Sequence, residues 1–145
     1  MKMLSVLVSA VALNAIPEGV SAKESSYQEN QSEVKWGEIN TKGLEVLLHS
    51  KIPMTLVDAR KDKYFDGTLI LGAKRLPSDS THEAIEEILP NKHQLTVVYC
   101  AGEGCEASKN LAKRLVEMGY ISVIEYHDGI RKWKALRKPT QKVKG

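Results

Sequence analysis

The run Leu95-Thr-Val-Val-Tyr99 constrains the fold more than any other stretch of this chain. It is apolar or β-branched at every position, so as a strand it needs cover on both faces. Strands of that kind belong to parallel sheets sandwiched between helices. The run ends in Cys100. A short glycine-bearing loop follows, Ala101-Gly102-Glu103-Gly104-Cys105, and then a helical pattern from about Glu106 to Met118. A thiol is thereby placed at the carboxyl end of a buried strand, under the amino end of a helix. Ligands of open α/β sheets collect at that edge. Backbone N–H groups are free there to stabilise a thiolate.

The same alternation runs through the chain. Short strands are expected at Val34–Trp36, at Met54–Val57 leading into Asp58-Ala59-Arg60, at Ala73–Leu76, at Leu95–Tyr99 and at Ile121–Tyr126. Asn40 or Thr41 caps a helix carrying Leu44, Leu47 and Leu48 on one face. Ser80 or Thr81 starts a second helix with Ile85, Ile88 and Leu89 inward, stopped by Pro90. Leu111, Leu115 and Met118 form the stripe of the third, and Gly119 suits its C-terminal stop. His127-Asp128-Gly129 turns into a last helix bearing Ile130 and Trp133. Strand–helix alternation implies a three-layer α/β/α fold around a parallel sheet. The edge formed by the strands' carboxyl ends should carry Asp58, Arg60, Cys100 and His127, from three different strands.

With 145 residues, 42% hydrophobic and 27% charged, the chain fits one soluble globular domain. The net charge of +3 is partly local, with Lys132, Lys134, Arg137, Lys138, Lys142 and Lys144 crowding the C-terminus. No aromatic residues interleave them as base-stacking platforms, so they read as a solvated helix face and tail, and no nucleic-acid partner is expected. Residues 1–22 read as a signal peptide: Lys2, an apolar stretch from Met3 to Ile16, the breakers Pro17 and Gly19, and small residues at Val20-Ser21-Ala22. Cleavage before Lys23 would export the protein to the periplasm or beyond, with no membrane attachment afterwards; a retained anchor or a plain helix is the alternative. Residues 23–33 read as a flexible polar linker, 34–139 as the domain and 140–145 as a basic tail.

At these residues the chain resembles a rhodanese-like domain. The resemblance is carried by Leu56-Val-Asp-Ala-Arg60, Tyr64-Phe65 with Gly67, Gly72-Ala-Lys-Arg-Leu-Pro77, Val97-Val-Tyr-Cys100 with its loop and Ser108, Leu111-Ala112, Leu115, Gly119-Tyr120, Val123, Asp128-Gly129-Ile130 and Trp133, in the family's order. It implies a five-stranded parallel sheet and a sulfurtransferase in which Cys100 accepts sulfur as a persulfide. The loop 101–106 (Ala101, Gly102, Glu103, Gly104, Cys105 and Glu106) then matches the family's cradle of backbone N–H groups. Asp58 and Arg60 match residues that help hold the architecture, and Trp133 matches a packing residue. The chain departs from the family pattern where an arginine usually stands five residues after the cysteine and Cys105 stands instead. The loop carries Glu103 and Glu106 and no base, and Thr68 replaces a histidine commonly found after the glycine.

The chemistry follows from the thiol. A thiolate is the nucleophile, and an unshifted cysteine, with a pKa of about 8.5, is largely protonated at neutral pH. Inward-turned amides and a path to water are what this reading requires of the sulfur. The Cys100 thiolate attacks the sulfane sulfur of a small donor, and a thiophilic acceptor, a small molecule or a protein thiol, takes it on. No metal or other cofactor is needed, and a monomer suffices. Cys105 has three open readings: a small residue filling the arginine's place, a resolving thiol that forms a disulfide with Cys100, or half of a soft-metal pair, for which the spacing is poor. His127 reads as a surface or hydrogen-bonding residue, with donor orientation as its alternative. His49, His82 and His93 look like surface residues. A phosphatase is disfavoured because no arginine follows the cysteine to clamp phosphate. A thiol–disulfide relay and a catalytically silent binding module are the competing functions.

Overall fold

The computed structural model describes residues 35–144. The expected signal peptide, the linker and Val34 lie outside them. Five parallel strands form the central sheet: β1 (Gly37–Ile39), β2 (Met54–Asp58), β4 (Lys74–Arg75), β5 (Leu95–Tyr99) and β6 (Val123–Tyr126), in the spatial order β1-β6-β5-β2-β4. The apolar run Leu95–Tyr99 takes the middle position, flanked by β2 through Asp58↔Tyr99 and by β6 through Val98↔Glu125. Helices α1 (Thr41–His49) and α4 (Gly129–Ala135) cover one face, and α2 (His82–Ile88) and α3 (Ala107–Glu117) the other.

Alternation along each strand sends side chains to opposite layers. Val57, Val98 and Val123 meet Ile85, Leu89, Leu111, Ala112 and Leu115 beneath α2 and α3. Leu56, Val97, Tyr99 and Tyr126 meet Leu44, Ile130 and Trp133 beneath α1 and α4. The caps form as the sequence implies. The Asn40 side chain accepts from the Gly43 amide at 3.0 Å, and Thr81 Oγ1 accepts from the Ala84 amide at 3.2 Å. Gly119 follows α3 with φ of +93°, the left-handed turn a glycine takes readily.

The structure differs from the sequence expectations in several places. The first strand is Gly37–Ile39, not Val34–Trp36, because pairing with Ile124–Tyr126 sets its register; Trp36 packs half-buried against the α3-side core instead. The strand expected at Ala73–Leu76 is only Lys74–Arg75, and the last sheet strand begins at Val123, leaving Ile121 exposed. Leu48 is exposed at the far end of α1, where the core no longer reaches it. Part of the expected basic tail is ordered: β7 (Thr140–Lys142) pairs antiparallel with β3 (Thr68–Ile70). Alternating polar residues at a chain end carry no strand signal by themselves, so only this pairing reveals it. No helix among the described residues is long and apolar enough to cross a membrane.

Candidate active site

Cys100 directly follows the central strand and is 2% exposed. Its sulfur lies 3.2 Å from Ser108 Oγ, in the first turn of α3, and 3.3 Å from the Cys105 carbonyl oxygen. Of these only the hydroxyl can be a hydrogen-bond partner of a sulfur that carries no proton, and the expected inward-turned amides are not among its neighbours. The physical reason is the second cysteine. Cys100 and Cys105 are joined as a disulfide, with Cα atoms 6.4 Å apart, within the range a bridge spans. Closing it turns the Cys105 peptide toward Cys100. Cys105 lines the neighbouring cleft and Cys100 lies behind it.

The loop is held from below by the start of α4. The Ile130 amide donates to the Cys100 carbonyl at 3.0 Å and the Arg131 amide to the Ala101 carbonyl at 2.9 Å. Within the loop, the Cys105 amide donates to the Gly102 carbonyl at 3.0 Å. This approach is possible because position 129 has no side chain. A Cβ there would stand 2.6 Å from the Ala101 carbonyl carbon and closer still to the Gly102 backbone, and Gly129 itself has φ of +71°.

Asp58 and Arg60 form a buried clamp beside the loop. Arg60 donates through both Nε and Nη2 to the Asp58 carboxylate, at 2.6 Å for the shorter contact, and through Nη1 to Asp66 at 3.2 Å and Nη2 to the Thr68 carbonyl at 2.6 Å. Arg75 adds a second cation 3.7 Å from Asp58. These contacts tie β2 to β3 and β4.

A cleft of about 750 Å³ opens next to the loop, walled by residues 101 and 103–107, by Arg60, Lys61, Lys63 and Tyr64 and by one side of α4. Arg60, Lys61, Lys63, Arg131 and Lys134 face it, against Asp66, Glu103 and Glu106. Arg60 and Lys134 are engaged with acids; Lys61, Lys63 and Arg131 have no carboxylate partner among the described residues. Arg131 lies along the loop, its Nε 3.4 Å from the Ala101 carbonyl and its Nη2 3.4 Å from that of Glu103. The positive charge that the loop lacks in sequence is therefore supplied by other segments. Burial works to raise the Asp66 carboxyl, but hydrogen bonds from Lys134 and the Thr68 amide, with the Arg60 charge, bring it down to about 2. Ser78 also lines the cleft, and its buried hydroxyl has no hydrogen-bond partner in the structure.

His127 is not part of this cleft. It is 42% exposed, and its Nε2 is 3.3 Å from Asp128 Oδ1. Asp128 in turn accepts from the Thr41 amide and hydroxyl, both at 2.8 Å, so this corner braces α1. Glu103 and Glu106 are exposed, and Glu106 precedes α3 without capping it through its side chain. Among the described residues, no group of three or more His, Cys, Asp or Glu side chains is arranged to hold a metal ion.

Sequence reasoning missed two groups. Arg131 drew no reading from the sequence, and only the docking of α4 brings it over the loop. Glu125 is 1% exposed on β6 and faces α3, with one carboxyl oxygen unpartnered. An acid inside the strand run Val123-Ile-Glu125-Tyr126 was the available signal.

A family profile described as the rhodanese-like domain matches residues 41–136. None of the curated proteins matches the chain. Among solved structures, the chain is similar to the rhodanese-like domain of an Anabaena protein, with a TM-score of 0.64 at 24% identity over 75% of this chain and 81% of that one. It is similar to a rhodanese with anions from E. coli, with a TM-score of 0.50 at 27% identity over 62% of this chain and 99% of that one. A thiosulfate sulfurtransferase from Pseudomonas aeruginosa superposes with a TM-score of 0.60 at 17% identity, over 75% of this chain and 21% of that one.

Proposed function

The chain belongs to the rhodanese-like family, and from that premise we propose that it is a sulfurtransferase that carries a sulfane sulfur as a persulfide on Cys100. The observation behind this reading is the position of Cys100 at the carboxyl end of the central strand, bonded to a Cys105 that lines a cation-flanked cleft. The closed disulfide form keeps the Cys100 sulfur from water. Reduction frees Cys105 to swing outward, so the reduced protein is the competent one.

In the first half-reaction the Cys100 thiolate attacks the outer sulfur of the donor. A new S–S bond forms, the bond from that sulfur to the rest of the donor breaks, and the departing group keeps the electron pair. In the second, a thiophilic acceptor attacks the terminal sulfur of the persulfide and Cys100 leaves as thiolate. No external oxidant or reductant enters either step. Lys61, Lys63 and Arg131 favour an anionic donor, and their field raises its local concentration at the cleft mouth. The similarity to the E. coli rhodanese with anions is in keeping with this.

The Cys100–Cys105 pairing favours a second reading, in which Cys105 resolves the persulfide. Its thiolate attacks Cys100 Sγ of the protonated persulfide, hydrosulfide leaves, and the disulfide closes, to be reopened by an external thiol. The segment at residues 1–22 supports action after export, in a compartment where such a bridge persists.

Intact-mass analysis of the reduced protein after exposure to thiosulfate or a small persulfide tests both readings. The expected result is addition of one sulfur atom in Cys105→Ser and none in Cys100→Ser; the parent keeps the added sulfur under the first reading and, under the second, returns to the disulfide with the loss of two hydrogens. Absence of the adduct across donors overturns sulfur transfer. Unchanged multiple-turnover rates in Cys105→Ser overturn the resolving role.

A further inference from the structure

Behind the loop, on the α3 side of the sheet, three buried groups follow one another: the Cys100 sulfur, the Ser108 hydroxyl and the Glu125 carboxyl. They are 2%, 3% and 1% exposed. Register fixes the direction of Glu125. It pairs with Val98, and both Val98 and its neighbour on β6, Val123, point into the core under α3. Ser108 sits in the first turn of that helix, 3.2 Å from Cys100 Sγ, and α3 packs on β6 at the sheet face to which Glu125 points. A serine hydroxyl has one proton to donate. It serves the sulfur or the carboxylate, and not both.

We propose that Glu125 is a positioning residue for Cys100, and that the two groups share one proton through the Ser108 hydroxyl. In one state Glu125 is a carboxylic acid that donates to Ser108 Oγ, Ser108 donates to the sulfur, and Cys100 is a thiolate. In the other, the sulfur has taken the hydroxyl proton while Ser108 has taken the carboxyl proton. Cys100 is then a thiol and Glu125 a carboxylate that accepts from Ser108. Two short proton hops give the net transfer of one proton from Glu125 to Cys100, and no electrons are exchanged. The buried pocket thus holds one negative charge, on sulfur or on oxygen.

The surroundings suit a carboxyl poised between the two forms. Burial raises its affinity for the proton, and Glu38, facing it from β1, raises it further. Lys109 and Ser108 from α3 and His127 at the end of its own strand act in the opposite direction. The carboxyl oxygen left without a partner is unfavourable for a permanent carboxylate. A group retained there for architecture alone would have its hydrogen bonds completed, as Asp58 does.

This inference rests on Cys100 being the reactive thiol, but alkylation reads that thiol without any sulfur donor. Failure of sulfur transfer would therefore leave the test valid. In full-length, reduced Cys105→Ser protein, the rate of Cys100 carbamidomethylation by iodoacetamide is followed by intact mass across pH. The expected profile has two steps, as coupled sites titrate. Glu125→Gln leaves one step at a lower midpoint, with alkylation near neutral pH faster by roughly tenfold, the equivalent of about one pKa unit. Ser108→Ala slows alkylation near neutral pH and narrows the spacing of the two steps. In that background Glu125→Gln accelerates the reaction less. A Glu125→Gln profile that superimposes on its parent overturns the proposal, as does an acceleration of equal size with and without Ser108. If glutamine at 125 prevents folding, Ser108→Ala decides alone: narrowed steps support the shared proton, and unchanged steps overturn it.

Discussion

Two carboxylates are buried beside the strand that leads to Cys100, one on each face of the sheet. Asp58, at the end of β2, is fully buried on the α4 side and is met by Arg60, by Arg75 and by the Arg60 amide at 3.0 Å. Glu125, near the end of β6, is equally buried on the α3 side and has an unpartnered oxygen. The same functional group at nearly the same depth thus meets opposite treatment. Burial of an ion is tolerated when excellent geometry and further hydrogen bonds compensate desolvation. Asp58 meets that condition and acts as architecture, tying three strand ends together. Glu125 does not, and its proton is left mobile.

Removing the compensation from Asp58 should have the largest effect of any change at these two sites. Arg60→Met leaves the carboxylate with the backbone amide of residue 60 and the more distant Arg75, and the expected loss is about 3–5 kcal/mol of unfolding free energy, read by urea denaturation. A loss below about 1 kcal/mol would mean that Asp58 depends on its partners no more than a surface ion does, and the contrast would collapse. Gly129→Ala comes next. It leaves both carboxylates in place and pushes a Cβ into the Gly102 backbone, an overpacking with a cost of about 1–3 kcal/mol. Because the loop must lift away from α4, the Cys100–Cys105 pair should also be reduced by dithiothreitol more readily than in the parent. An unchanged reduction rate would show that α4 does not hold the loop.

Much of this was legible in the amino-acid sequence, for reasons that differ by region. The strand Leu95–Tyr99 and the helices that begin at Thr41, His82 and Ala107 are written in local signals: an unbroken apolar run, cap residues, a 3.6-residue stripe. Cys100 could be placed at the functional edge because strand direction and crossover handedness leave little choice. The Arg60 clamp on Asp58 and the Cys105 bridge lie within a few residues of their partners. Arg131 was not legible because helix docking, and not chain position, decides which side chain overhangs the loop, whereas His127 takes the exposed, hydrogen-bonding place that its first reading gave it. Glu125 escaped because its meaning depends on Ser108, a residue 17 positions away that reaches it only through the packing of α3 on β6. The pairing of β7 with β3 was likewise hidden in a segment with the composition of a tail.

A smaller effect separates the two carboxylates by pH. Burial, then Glu38, raises the Glu125 pKa above its unfolded value of about 4.3. A raised carboxyl pKa means that the folded state binds the proton more tightly. Its contribution to stability is complete below the unfolded value and is lost as pH rises through the folded one. Glu125→Gln cannot lose that contribution. The variant should melt a few degrees above the parent at pH 7, with the advantage gone below about pH 4. Scanning calorimetry at the two values checks this. An advantage that is the same at both would assign the gain to packing, and Glu125 would then be no more titratable in function than Asp58.

The smallest expected effect concerns Asp66, the exposed outer partner of Arg60. Its carboxyl lies at about 2, below the unfolded value of about 3.9. The sign is therefore reversed: its contribution is present above the unfolded value and disappears as pH falls through the folded one. Asp66 is half exposed, so solvent screens its pairs with Arg60 and Lys134, and Asp66→Asn should lose less than about 1 kcal/mol at pH 7. At pH 2 the variant and the parent should converge. Urea midpoints across that acid window are the measurement. If the difference instead persisted at pH 2, the Asp66 side chain would be holding β3 by shape and hydrogen bonding rather than by charge. Arg60 would then have to be regarded as neutralised by Asp58 alone, and the clamp would be a closed pair facing a carboxyl on the other side of the sheet that has no such partner.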